Sequence, residues 1–135
     1  MEGIIRISII VNGSILILFG IYHLFGPKFF KWEKHYPNLP PLFIDGILTT
    51  NFAASNLFIA LGILDVVMMV FYWQDIGLIK FIIFIQCITM IIRFVYAVVK
   101  PLRFPKKGVY GYWLMFILVL CFLNIESFIL LLNLK

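Results

Sequence analysis

Asn12, Asp65, Gln86 and Glu126 are oxygen-bearing side chains set well inside four separate apolar stretches of the sequence. Groups of this kind suit a proton or a hard cation. Where two acids share a buried site, desolvation and like charge both favour keeping a proton on one of them. A second set, His23, Asp45, Asn51 and Arg93, offers different chemistry. An imidazole and a carboxyl can trade a proton, and a guanidinium can hold an anionic group of a lipid.

Motifs that would fix a reaction are missing. The chain has no Gly-rich phosphate loop, no His-x-x-x-His or Cys-x-x-Cys pair and no Gly-x-Ser-x-Gly elbow. No catalytic residue, metal site or cofactor is therefore assigned. His23 and His35 do not form a haem ligand pair in this reading, because His35 falls in a loop. Cys87 and Cys121 sit inside apolar stretches and read as small packing residues, not as a disulfide or zinc framework.

The elements that must position these residues follow from composition. Of the 135 residues 64% are hydrophobic and 13% charged, and the mean hydropathy is +1.10. A soluble domain is about half apolar and a quarter charged, so water is the wrong solvent for this chain. A helix crossing a bilayer needs about 20 largely apolar residues. The sequence holds four such segments, at about residues 4–25, 43–72, 76–99 and 110–134. Gly26-Pro27 is expected to end the first, and Lys100-Pro101 the third. The fold class is all-α: one integral membrane four-helix bundle over residues 1–135. Weak alternation and the absence of polar-in, apolar-out ten-residue units argue against a membrane β-barrel. The N-terminal stretch lacks a small-residue cleavage pattern and is kept as a helix.

The loop between the first two spans is more than a polar connector. Phe29, Trp32 and Tyr36 recur at helical spacing beside Lys28 and Lys31, with Pro27 suited to a first helical turn. These residues predict a short interfacial helix whose aromatic rings anchor in the headgroup layer while the lysines snorkel to water.

Charge gives an orientation. Lys28, Lys31 and Lys34 in the first loop and Lys100, Arg103, Lys106 and Lys107 in the third make seven positive residues on one side, against Arg6, Lys80 and Lys135 on the other. Positive loops stay in the cytoplasm, so both termini are expected outside. The net charge of +5 is absorbed by this topology and does not point to nucleic acid.

Depth and angle then sort the polar residues. At about 1.5 Å rise per residue, Asn12, Asp65, Gln86 and Glu126 fall about 10–15 Å below the outer ends of their helices, in one layer. His23, Asp45, Asn51 and Arg93 form an inner layer, with Arg93 about 9 Å from the inner end of its helix. Arg93 can snorkel inward, pair with Asp45 or reach toward Asp65. At about 100° per residue, Asn51, Ser55, Phe58, Gly62 and Asp65 share an arc of about 80°. Gln86, Thr89, Arg93 and Ala97 form a similar stripe, as do Ser8, Asn12, Phe19 and His23, with Gly13 and Gly20 adjoining. Such polar and small seams are expected to face other helices, because lipid tails cannot satisfy them. On the fourth span Asn124 and Glu126 are about 200° apart, so one of them is expected to point away from the bundle, toward a neighbour or water.

Three function classes fit these residues. One is a non-enzymatic bundle acting in a homo-oligomer or with other membrane subunits. Another is a proton- or cation-coupled carrier or channel using Asp65 and Glu126 with Gln86 and Asn12. The last is a membrane enzyme acting on a lipid or quinone, with His23, Asp45 and Arg93 as acid, base and anion clamp. A topology reporter fused after Lys135 is expected to read as external; a cytoplasmic signal would overturn the orientation.

Overall fold

The computed structural model describes residues 2–29, 31, 34, 38–99 and 109–133. It contains four long helices: α1 (Glu2–Phe29), α2 (Pro41–Phe71), α3 (Ile76–Val99) and α4 (Val109–Leu132). All four are long and apolar enough to cross a membrane. The chain is an all-α, multi-pass membrane four-helix bundle. Helices are the outcome that these apolar runs permit, since hydrocarbon leaves every backbone N–H and C=O to be satisfied within its own segment. At about 1.5 Å per residue, α1 and α2 are about 42 and 46 Å long. Both exceed the roughly 30 Å hydrocarbon layer, so their ends extend into the headgroup region.

Helix ends follow local chemistry. Pro41 opens α2 in the position where a missing N–H does no harm, two residues earlier than the sequence suggests. Asp75 caps α3: its Oδ1 accepts the Leu78 N–H at 3.1 Å, as an N-cap carboxylate does. One expectation is corrected. Gly26-Pro27 does not end the first helix, which runs on to Phe29 with Pro27 inside its last turn. Proline takes the Pro27 N–H away from its acceptor four residues back, the carbonyl of His23. The Asn51 side chain supplies the missing donor, its Nδ2 lying 2.9 Å from His23 O. Of the expected interfacial helix, Phe29 closes α1 with its ring exposed, whereas Trp32 and Tyr36 lie outside the described residues.

Two compact units divide the chain, one made of Met1–Asn12 and Asp65–Lys135, the other of Gly13–Leu64. In the second unit α1 and α2 touch backbone to backbone. A Cβ at Gly20 would meet Ser55 O at 2.7 Å and Ile59 Cγ1 at 2.6 Å. A Cβ at Gly62 would run into Gly13 O and lie 2.9 Å from Ile17 N. Small residues placed opposite each other allow this approach, and the Phe19 and Phe58 rings pack edge to face beside it at 5.1 Å. In the first unit, Ile5, Ile9, Met68, Met69, Ile79, Ile83, Cys87 and Leu131 make one buried apolar cluster. There α3 and α4 run against each other, with Cys121 Sγ donating to Met90 O at 3.1 Å and the Phe84 and Phe128 rings 5.5 Å apart.

The Gly62 contact generates a test. Gly62→Ala is expected to destabilise the protein by about 1–3 kcal/mol, the usual consequence of forcing a methyl into a filled contact. Gly46→Ala, where nothing lies within 4 Å, is expected to add about 0.5–1 kcal/mol of helix stability. Thermal melting in one detergent, followed by helical circular dichroism, reads both; equal effects would contradict the close packing.

Candidate functional site

The polar seam of α2 is inside, whereas those of α1 and α3 are mixed, with Ser8, His23, Thr89 and Arg93 half-buried. Asn51, Ser55, Phe58, Gly62 and Asp65 are all buried along one face of α2, and Asn12, Phe19 and Gln86 are buried on α1 and α3. What each seam bonds to differs from one to the next, and so does its chemistry.

In the first unit Asp65 on α2 meets Gln86 on α3. Gln86 Nε2 donates to Asp65 Oδ1 at 2.7 Å. The two side chains are 1% and 0% exposed, so neither has a share of solvent. Their other oxygens, Asp65 Oδ2 and Gln86 Oε1, are buried and have no hydrogen-bond partner among the described residues. Asp65 therefore meets an amide where a cation was one of the expected partners. Arg6, the arginine of α1, is committed elsewhere. Its Nη2 donates to Met69 O at 2.8 Å, and its guanidinium lies 5.4 Å from the centre of the Trp73 ring. Met69 belongs to the last turn of α2, whose carbonyls lack intrahelical donors and carry the negative end of the helix dipole. Arg6 thus works as a tertiary C-cap with a cation–π contact.

A second polar pair in the same unit joins α1 to α4. Asn12 Nδ2 donates to Asn124 Oδ1, and Asn124 Nδ2 donates back to Asn12 Oδ1, both at 3.3 Å. Asn124 Nδ2 also reaches the Leu120 carbonyl one turn back at 2.8 Å. Ser8 and Ser127 hydroxyls lie 3.4 Å apart along the same seam. Asn12 is thereby bonded to Asn124.

Glu126 goes the other way. The buried stripe of α4 is Ile117, Leu120, Cys121, Asn124, Ser127 and Leu131, and Glu126 is exposed on the opposite face among exposed Phe122, Ile125 and Ile129. The structure thus brings Asp65 and Gln86 together and turns Glu126 outward. Asn124, Ser127 and Arg6 make inter-helix contacts that sequence reasoning did not assign to them. Cys121, Asn124 and Ser127 recur every third residue, and that run of small and polar residues was the available signal for the inward face of α4.

The inner set is less concentrated. In the second unit the His23 ring lies edge-on to Phe19, centroids 5.2 Å apart, and its carbonyl takes the Asn51 amide. Ser55 Oγ donates to Asn51 O at 2.6 Å, and Asn51 Oδ1 is buried without a hydrogen-bond partner among the described residues. Asp45 is exposed near the start of α2, and Arg93 is half-buried on α3. Among the described residues no group of three or more His, Cys, Asp or Glu side chains is placed to hold a metal ion.

No family model matches the chain, and no curated protein and no solved structure matches it either.

The reciprocal Asn12–Asn124 pair is open to a double-mutant cycle. Asn124→Leu leaves Asn12 buried without its partner and is expected to destabilise by about 1–3 kcal/mol. Adding Asn12→Leu removes the orphan, so the double variant is expected to be less destabilised than the sum of the two single ones. Additive melting shifts would show that the amides do not interact.

Proposed function

We propose that this protein is a non-enzymatic membrane bundle that works as a subunit of a larger membrane assembly, and that the outer face of α4 is where it meets its neighbour. The observation that supports this reading is the exposure of Glu126 among Phe122, Ile125 and Ile129. A carboxyl group held by a helix against lipid is unfavourable, by about 2.5–3.5 kcal/mol for an acid at the bilayer centre. Glu126 lies six residues from the end of α4, about 9 Å along the axis. Its short side chain does not span that distance. The fitting occupant is a transmembrane helix of a neighbouring subunit that offers a hydrogen-bond donor at this depth, with its apolar side chains against Phe122, Ile125 and Ile129. By the loop charges, that contact lies in the outer half of the membrane, with both termini external.

The reading has a test in which the sign decides. If a neighbour covers Glu126, Glu126→Leu strips its polar contact; the protein extracted in mild detergent is expected to drop to a smaller species by native mass measurement and to melt earlier. If lipid covers it, the same change removes an unfavourable group, and the protein keeps its mass and melts later. The second result would overturn the proposal.

A further inference from the structure

The Asp65–Gln86 pair leads further, independently of the assembly reading. Each side chain has two polar ends, and one edge between them is made, from Gln86 Nε2 to Asp65 Oδ1 at 2.7 Å. What is left over is an oxygen on each side, Asp65 Oδ2 and Gln86 Oε1, both buried and both without a hydrogen-bond partner among the described residues. An ionised carboxylate is acceptor only, and an amide oxygen is acceptor only. Two left-over acceptors in an apolar interior are costly. One hydrogen atom supplies the donor that both lack.

The ionisable groups on the neighbouring helices do not supply it. Arg6 of α1 is taken up by Met69 O and Trp73. Lys80 and Arg93 sit six and seven residues from Gln86 along α3, about 9 and 10 Å of axial rise. On α4, Glu126 faces outward and the Cys121 thiol donates to Met90 O. Cys87, next to Gln86, belongs to the apolar cluster. Among the described residues, the side-chain bond to Asp65 comes from Gln86.

We propose that Asp65 and Gln86 form an intramembrane proton-binding site, in which Asp65 holds a proton on Oδ2 and offers it to Gln86 Oε1 while Oδ1 keeps the amide hydrogen. The ligand is a proton taken from water; one O–H bond forms, no other bond changes, and the site gains one positive charge. The Asn12–Asn124 pair in the same unit has the completed form of this arrangement, with two donors and two acceptors matched.

Infrared spectroscopy of the full chain in lipid vesicles at neutral pH, with the aspartates carbon-13 labelled at the carboxyl, reads the proton directly. The expected result is a label-shifted carboxylic-acid C=O band in wild type that disappears in Asp65→Asn. Gln86→Leu is expected to move that band to higher frequency, because the carbonyl loses its amide donor. Asp65→Asn replaces the acid hydrogen with an amide hydrogen, so its melting temperature is expected to match wild type. An Asp65 carboxylate band in place of the acid band would overturn the proposal. So would a wild-type melting temperature that climbs with sodium, potassium or calcium concentration while that of Asp65→Asn does not; a metal cation would then be the ligand.

Discussion

Inside a bilayer a polar side chain has no water to fall back on, so its hydrogen-bond partner must come from another helix or from its own backbone. That constraint organises the described parts of this chain more than apolar packing does. Lipid tails are as apolar as Ile or Leu, so burying Ile5, Ile79 and Leu131 together does not gain the free energy it would in water. Dispersion contacts favour close packing without selecting one register. The specific contacts are polar: Asn12 with Asn124, Ser8 with Ser127, Asp65 with Gln86, Asn51 with the carbonyl of His23. Each fixes a rotation and a depth for the helices it joins, because a shift of one residue turns a side chain by about 100°.

The same constraint explains two places where a helix rule is broken and repaired from outside. Pro27 leaves the His23 carbonyl without its intrahelical donor, and Asn51 supplies one. The last turn of α2 leaves carbonyls without donors, and Arg6 covers that of Met69. In water both ends would simply be solvated. Here a side chain from another helix stands in for water, and the repair becomes a tertiary contact. Glycine has a complementary role in the second unit. Gly13, Gly20 and Gly62 carry no side chain to hold the backbones apart, and Ser55 bonds inward to its own helix. That helix pair is joined mainly by proximity.

The fold was legible because length and apolarity alone decide it. Four segments near 20 residues or longer in a chain of 64% hydrophobic residues leave little else to form. The inward face of α2 was legible too, since Asn51, Ser55, Phe58, Gly62 and Asp65 recur at helical spacing and are all buried. Depth placed Asp65 and Gln86 in one layer, and they bond. Depth also placed Glu126 there, but depth says nothing about rotation. Only the contrast between Asn124 and Glu126, about 200° apart, signalled that one had to leave. Choosing between them required the stripe of Cys121, Asn124 and Ser127. The capping roles of Asn51 and Arg6 were not legible. Each depends on which backbone carbonyl lies opposite, and a sequence does not carry inter-helix register.

The two buried pairs of the first unit isolate what an acid adds. Asn12 and Asn124 are identical groups that satisfy each other, so the pair is complete as built and has no reason to bind anything. Replacing one amide by a carboxyl, as at Asp65 and Gln86, keeps the size and the hydrogen-bonding edge but removes a donor. A purely structural clamp would work with asparagine at both positions, as the first pair demonstrates. An aspartate in that setting leaves the pair complete only when a proton is present, so closing the clamp becomes linked to proton binding. Glu126 is placed differently: it is exposed on the outer face of α4, and under the proposed assembly a neighbour's hydrogen-bond donor would meet it without a change in protonation. On the two proposals the acids are met by different routes, one by a proton taken inside the unit and the other by a hydrogen-bond donor from outside it. Treating them as a single two-carboxylate site would assign them a common chemistry that their positions do not share.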